Sequence, residues 1–183
     1  MRIIAGTARG RPIQGPKGEG IRPTSDRVRE SLFNIIGPWL EGRVLDLYAG
    51  TGALGLEALS RGATRAVFAD NGREAQGLIE KNLTTLGFAE HTELLKMDAA
   101  RALDLCERRA DAFDFIFADP PYDAQAATWL VERLATSKVL ADGGTLIIET
   151  DKREPAPNDA RLPQVDERKF GDTRIRLYRR PTP

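Results

Sequence analysis

The feature that most constrains the fold is a glycine turn between an apolar strand and a helix. Val44–Leu47 is an apolar run that contains one acid, Asp46, and a Tyr-Ala-Gly-Thr-Gly segment follows it. Gly50 and Gly52 allow a sharp turn and a close approach of the backbone to a ligand, and Gly55 lets the next helix pack tightly on the strand. The Gly-x-Gly-x-x-Gly spacing matches the dinucleotide fingerprint, so the turn indicates either a nucleotide-type site or only a tight connection.

The acid in this strand indicates which ligand such a site would bind. A dinucleotide places its pyrophosphate on the helix N-terminus beside the glycines, where the Asp46 carboxylate would repel it. S-adenosylmethionine (SAM) has a sulfonium and an ammonium group and no phosphate, so the acid favours SAM over NAD. The alternative is that Asp46 only caps the helix.

A second acid ends the next predicted strand, Arg65–Asp70. Asp70 lies 20 residues after Gly50, the offset at which a carboxylate meets a ribose diol. Taken alone, Asp70 is equally suited to cap the following helix. Two acids at the ends of neighbouring parallel strands favour a ligand site.

Strands alternate with helices along most of the chain. This alternation predicts an α/β fold with a doubly wound, mostly parallel, Rossmann-like sheet. We expect a short, basic N-terminal arm at 1–23 and one domain at 24–183, which ends in an antiparallel hairpin. Besides the two strands above, the predicted elements are a helix that opens at Thr24 or Ser25, helices at 73–86, 99–109 and 125–135, strands at 93–97, 113–118 and 145–149, and hairpin strands at 167–170 and 173–178.

Composition excludes several classes of protein. The 183 residues are 41% hydrophobic, which is ordinary for a globular domain, and no apolar run approaches the roughly 20 residues of a membrane span. One cysteine and one histidine exclude an internal disulfide framework and disfavour a zinc site. With no signal-peptide pattern at the start, we expect a monomeric cytoplasmic protein without a metal.

Charge is unevenly distributed, although the whole chain is neutral. Residues 1–30 contain seven basic and three acidic residues, a net charge of +4. A basic arm on an acidic body suggests a polyanionic partner, and the candidate contacts are Arg9, Arg11, Arg27 and Arg29. The alternatives are that the arm is a solvated tail, or that the C-terminal arginines 174, 176, 179 and 180 bind the partner.

The most specific motif is Asp119-Pro120-Pro121-Tyr122, directly after the apolar strand at 113–118. The two prolines stiffen the turn and remove two N–H donors, so carbonyl and carboxylate acceptors remain beside an aromatic ring. Such an array suits the exocyclic amine of a stacked nucleobase. The alternative is a simple turn with a surface tyrosine.

Together these segments resemble the RsmD family, the bacterial 16S ribosomal RNA guanine-N2 methyltransferases. Asp-Pro-Pro-Tyr looks like the catalytic motif of SAM-dependent methyltransferases that act on base amines, and the Arg-Pro-Thr…Arg-Glu-Ser block is the most family-specific match. The matching segments, which cover most of residues 1–150, are 2–6, 22–34, 56–63 and 119–122.

The resemblance implies roles for individual residues. SAM is the implied cofactor, 16S rRNA the implied partner, either naked or in an assembling small subunit, and Asp119 to Tyr122 would hold the target guanine. Asp70 would bind the ribose hydroxyls, and Thr24 would close over the cofactor. The remaining cofactor contacts implied are Asp46, Tyr48, Gly50, Gly52, Met97, Asp98, Ala99 and Asp119.

Three other functions remain open from the sequence. A DNA adenine-N6 methyltransferase shares Asp-Pro-Pro-Tyr, although 183 residues leave little room for DNA recognition segments. An NAD(P)-dependent oxidoreductase fits the glycine spacing but gives Asp-Pro-Pro-Tyr no role. A non-catalytic RNA-binding protein that retains the fold is the third, and the intact acceptor motif argues against it.

Overall fold

Seven strands of the computed structural model form a mostly parallel sheet that ends in an antiparallel pair, which confirms the predicted fold class. The structure describes residues 1–16, 26–121 and 124–182. The helices and strands of these residues are α1 (Asp26–Ile36), β1 (Arg43–Leu47), α2 (Ala53–Ser60), β2 (Arg65–Ala69), α3 (Arg73–Leu86), β3 (Thr92–Leu95), α4 (Ala99–Arg108), β4 (Phe113–Ala118), α5 (Ala124–Thr136), β5 (Leu140–Asp151), β6 (Gln164–Phe170) and β7 (Thr173–Arg179).

The first of two compact units, Met1–Ala99, contains three parallel strands in the order β3-β2-β1. Leu47 pairs with Ala69, and Ala69 pairs with Leu95, so the three strands end level at one edge. The residues that follow each strand therefore lie at the same edge, where α/β sheets bind their ligands. Residues 44–47 are all buried, as expected for a strand covered on both faces.

The second unit, Ala100–Pro183, contains the order β4-β5-β7-β6. β4 and β5 are parallel, with Ala118 opposite Ile148. β7 is antiparallel to both β5 and β6, which places the predicted C-terminal hairpin at the end of the sheet. Asp119 directly follows β4, and Glu149, which lies within β5, is likewise one residue beyond the last β4–β5 pair.

Several strands differ in length from their predictions; β6, for example, begins at Gln164 rather than at residue 167. β5 begins at Leu140 rather than at residue 145, because Leu140 pairs with Phe113 across a register shift and Gly143 and Gly144 exchange backbone hydrogen bonds with Arg180. β3 ends at Leu95 rather than at 97, because the Met97 N–H folds back onto the Leu95 carbonyl at 2.9 Å. Neither backbone contact has a signature in the hydrophobic pattern.

The described part of the N-terminal arm, residues 1–16, packs against the helices of the first unit. Ile3, Ala8 and Ile13 are buried at 0%, 3% and 3% exposure. The backbone N–H groups of Ile4 and Ala5 donate to the Glu57 carboxylate at 2.8 and 3.0 Å. The division into an arm and a separate domain stays a prediction.

Ser60 of α2 provides a second attachment for the arm. Its carbonyl accepts the Thr7 N–H at 2.7 Å, and its hydroxyl accepts the Ala8 N–H at 3.0 Å and donates to the Ala5 carbonyl at 2.5 Å. Gly6, at φ +83°, lies against the Ser60 carbonyl. The arm is therefore fastened to the helix that follows the glycine turn.

No helix among the described residues is long and apolar enough to span a membrane.

Candidate active site

The glycine turn adopts the backbone that its sequence predicts. Gly50 and Gly52 have φ values of +56° and +77°, and the Gly52 N–H donates to the Ala49 carbonyl at 2.7 Å. A Cβ on Gly55 would come within 2.8 Å of Cζ of the buried Phe68 ring, so glycine is required for α2 to pack on the sheet. A Cβ on Gly50 would meet nothing nearer than a backbone oxygen at 3.9 Å, so this face of the turn is open.

The Asp46 carboxylate lies behind the turn and is 2% exposed. Its Oδ2 accepts the Gly55 N–H at 2.9 Å, which satisfies one of the free donors at the start of α2. The structure therefore shows the helix-capping contact considered from the sequence. A contact of Asp46 with the cofactor stays a prediction.

Asp70 fastens the glycine turn to the end of β2. Its Oδ2 accepts the Gly50 N–H at 2.9 Å, and its Oδ1 accepts the Gly72 N–H at 2.8 Å. The N-cap of α3 is Gly72, without a side-chain cap, so Asp70 does not cap that helix. Each carboxylate oxygen keeps a lone pair, and the side chain is partly exposed, so Asp70 can still accept hydroxyl donors.

Tyr48 and Asp98 lie near each other at this edge. Tyr48 follows β1 and has a φ of +56°, which is an outlier for a bulky side chain and typical of functional sites. Burial and the charge of Asp98 raise the pKa of the Tyr48 phenol. Asp98 follows Met97, and the buried Ala99 begins α4, so the structure brings all four predicted cofactor residues to one sheet edge.

In the second unit, Asp119 follows β4 as the predicted motif requires. Pro120 is buried and Pro121 is exposed. Burial and the neighbouring Glu149 charge raise the pKa of the Asp119 carboxyl to about 7. Perturbed carboxyl groups of this kind are typical of functional sites. Tyr122 of the same motif lies outside the described residues, as does Thr24.

The sequence-based prediction missed two residues that contribute to these sites, Glu149 and Asn82. Glu149 ends the predicted strand at 145–149, and the rule that identified Asp46 and Asp70 near the ends of their strands would have found it. Asn82 on α3 is fully buried and its side-chain N–H donates to the Thr51 carbonyl inside the glycine turn at 3.0 Å. Asn82 lies at helical spacing between Ile79 and Leu86 on the buried face of α3, and this spacing is the signal that could have identified it.

The four candidate RNA contacts fall into two groups. Arg9 and Arg27 are exposed and, together with Arg2, line a cavity of about 330 Å³ that also contains Asp26 and Glu30.

The other two candidate arginines are engaged within the protein. Arg29 is fully buried, forms an ion pair with Asp26 at 2.9 Å and hydrogen-bonds the Arg2 carbonyl. Arg11 donates to the Leu86 carbonyl at 2.9 Å and also to the Thr85 carbonyl. Arg11 is exposed, but its guanidinium is bound to these carbonyls, so Arg9 and Arg27 are the better exposed candidates for an RNA contact.

The alternative surface, the C-terminal arginines, is also mostly engaged. Arg176 is buried and pairs with Glu167 at 3.1 Å, and Arg174 pairs with the same carboxylate at 2.6 Å. Arg180 donates to two backbone carbonyls at the end of α5 and beyond it. Arg179 remains exposed.

Comparison with solved structures identifies the class of fold. A SAM-dependent methyltransferase from Agrobacterium tumefaciens shares the fold at 17% identity with a TM-score of 0.65, over 89% of this chain and 64% of that one. Escherichia coli YhhF matches at 34% identity and a TM-score of 0.85, over 100% and 99% of the two chains. Glycine turn, strand-end acids and sheet order define a protein with the Rossmann-like methyltransferase fold.

Sequence comparison identifies the family. The family model described as "Conserved hypothetical protein 95" matches residues 1–179. Ribosomal RNA small subunit methyltransferase D of Escherichia coli is 34% identical over 182 residues, which cover 98% of this chain and 90% of that protein. The chain belongs to this family, the RsmD family, as its motifs indicated.

Proposed function

We propose that the chain transfers a methyl group from SAM to the exocyclic N2 amine of a guanine in 16S ribosomal RNA. The observation that supports this most strongly is the near-complete match to ribosomal RNA small subunit methyltransferase D of Escherichia coli, 34% identical over 98% of this chain. The guanine-N2 assignment rests on the resemblance of the Asp-Pro-Pro-Tyr motif. An RNA substrate of this kind places the protein in the cytoplasm, where we propose that it acts as a monomer.

The first unit has the features that SAM requires. Asp46 lies near the end of β1, and Asp70 and Asp98 follow β2 and β3; such an acidic edge favours a cation over a pyrophosphate. The open face at Gly50 gives room for the ligand, and Asp70 has lone pairs for the ribose hydroxyls. SAM supplies a methyl group bonded to a positively charged sulfur, so the protein needs no covalent intermediate.

The second unit has the acceptors that an amine requires. The guanine N2 lone pair forms the new N–C bond while the electrons of the S–C bond return to sulfur, and the nitrogen then loses a proton. Ionised Asp119 and the Pro120 carbonyl accept the amine hydrogens, which stabilises the charge that develops on nitrogen. With a pKa of about 7, the Asp119 carboxylate is also suited to accept the released proton.

An assay of methyl transfer to different nucleic acids tests this function. Labelled SAM is incubated with naked small-subunit rRNA, small-subunit particles and duplex DNA, and the modified nucleoside is identified by mass spectrometry. N2-methylguanine in either RNA sample supports the proposal. The sample that is methylated faster shows whether the substrate is naked rRNA or the small-subunit particle. N6-methyladenine in DNA would establish the adenine alternative, and NADH binding in place of SAM would establish the oxidoreductase.

Asp70→Ala is expected to weaken SAM binding about 10- to 100-fold, because charged hydrogen bonds of roughly 1.5–3 kcal/mol are lost. The variant also loses the two backbone contacts that fix the turn. Calorimetric titration with SAM measures the effect. Arg27→Ala serves as the control and should bind SAM like the wild type, whereas unchanged binding by Asp70→Ala would remove Asp70 from the cofactor site.

Arg9→Ala combined with Arg27→Ala is expected to weaken RNA binding and to flatten its salt dependence. Each phosphate contact contributes about 0.7–0.9 to the slope of log affinity against log salt, so the slope should fall by about 1.4–1.8. Titration of a small-subunit rRNA transcript at several salt concentrations measures both quantities. SAM affinity should stay the same.

The matched control for this pair removes the same charge from the second unit. Arg108→Ala combined with Arg179→Ala changes two exposed arginines and should leave the salt slope unchanged. A flatter salt slope in this control, together with a wild-type slope in the first pair, would indicate that RNA contacts the second unit instead.

A further inference from the structure

Asn82 contacts both the arm and the glycine turn from a fully buried position on α3. Its Oδ1 accepts the Gln14 N–H at 2.8 Å, and its Nδ2 donates to the Gln14 carbonyl at 3.0 Å. The same Nδ2 donates to the Thr51 carbonyl at 3.0 Å. One amide group therefore joins two backbone segments that lie 37 residues apart in the sequence.

The partners of Asn82 determine the orientation of its amide group. Gln14 presents an N–H that needs an acceptor, and both carbonyls need donors. Only an amide provides two donors and an acceptor at this position; aspartate provides acceptors only, and leucine provides neither. Because the Asn82–Thr51 contact is buried, an unpaired Thr51 carbonyl carries a desolvation penalty, so the turn would change its position in a variant.

We propose that Asn82 is a positioning residue that couples the arm to the cofactor turn. The inference rests on the proposed function, in which RNA contacts Arg9 on the arm and SAM binds at the turn formed by Gly50 and Gly52. RNA that holds the arm in its docked position favours the Gln14–Asn82–Thr51 contacts, and these contacts hold the turn. RNA therefore raises the affinity for SAM, and SAM raises the affinity for RNA by the same factor.

Three variants of the full chain separate this coupling from a structural role. Asn82→Asp loses both amide donors and keeps the shape of the side chain. Gln14→Pro removes the Gln14 N–H and leaves the Asn82–Thr51 contact in place. Ser60→Ala loses buried contacts with the arm but does not touch the turn, so it controls for a general loss of stability.

Calorimetric titration with SAM, with and without a small-subunit rRNA transcript, measures the effects. In the wild type we expect RNA to tighten SAM binding about fivefold or more, the usual range of such coupling. Asn82→Asp should bind SAM about tenfold more weakly because of the lost donors and should show no RNA effect. Its KM for SAM should rise, while kcat at saturating SAM stays within about twofold of the wild-type value. General destabilisation would not raise KM and leave kcat unchanged.

The other two variants give distinct results. Gln14→Pro should keep wild-type SAM affinity in the absence of RNA and lose the tightening by RNA, and Ser60→Ala should bind SAM alone like the wild type. Unchanged SAM affinity in Asn82→Asp, or an intact RNA effect in Gln14→Pro, would overturn the inference. If Asn82→Asp does not fold, the effect of RNA on SAM affinity in Gln14→Pro alone tests the inference. A wild type that neither binds SAM nor methylates rRNA would instead refute the proposed function.

Discussion

Asp119→Ala is expected to reduce methyl transfer about a hundredfold or more, since one transition-state hydrogen bond of this kind is worth on the order of 3 kcal/mol. The fold and SAM binding should be largely intact, because the described contacts of the glycine turn lie in the first unit. Single-turnover transfer of labelled methyl to rRNA measures the loss, and calorimetry with SAM confirms that the variant is intact. Turnover near the wild-type value would refute the role of Asp119 as the acceptor.

The pH dependence of the wild type provides a second readout of Asp119. Its pKa of about 7 means that the acceptor is ionised above neutral pH and protonated below it, so transfer should fall as the pH decreases through 7. Glu149→Gln removes the neighbouring charge that contributes to this shift, so the midpoint of the rate profile should move to lower pH. If the midpoint of the rate profile did not move, the pH dependence would not arise from Asp119 and Glu149.

Gly6→Ala is expected to destabilise the first unit by about 3 kcal/mol or more, because it combines a strained backbone with the loss of buried hydrogen bonds. The new Cβ would lie closer than 3.0 Å to the carbonyl of Ser60, at a φ of +83°. The arm must then leave α2, and the fully buried Glu57 loses the donors of Ile4 and Ala5. Urea unfolding measures the change in the free energy of unfolding.

Gly10→Ala is the matched control for this prediction. Gly10 has nearly the same φ, +80°, and a Cβ there would meet nothing within 4 Å. The control should therefore show only the conformational cost of a left-handed alanine, about 1–2 kcal/mol. Equal losses in the two variants would show that backbone strain alone, and not the contact with Ser60, makes Gly6 necessary.

The fold was predictable because its signals are local. An apolar strand, a glycine turn and an amphipathic helix each appear in a short window, and their alternation predicts the parallel sheet. The bounds that differ depend on distant backbone partners: β5 is extended toward Leu140 by its pairing with Phe113 and by the contacts of Gly143 and Gly144 with Arg180. Such partners are invisible to a pattern that is read along the chain.

The candidate site was predictable where a rule connects position to chemistry. Acids that follow parallel strands meet at one edge, so Asp70 and Asp98 could be placed before their contacts were known. The arginines could not be sorted in this way: Arg27 is exposed and Arg29, two residues further along the same helix, is fully buried. The i,i+3 spacing of Asp26 and Arg29 predicts their ion pair, but the burial of Arg29 also depends on its contact with the arm, and that contact has no sequence signature.

The attachment of the arm has a consequence for the order of events during synthesis. The arm leaves the ribosome before the segments to which it binds, because its partner groups are 52 to 75 residues further along the sequence. The arm therefore stays undocked, with the side chains of Ile3 and Ile13 exposed to solvent, until the chain through Leu86 has emerged from the ribosome. Contacts of such large sequence separation form slowly, so the arm is made before its partners and reaches its native contacts late in folding.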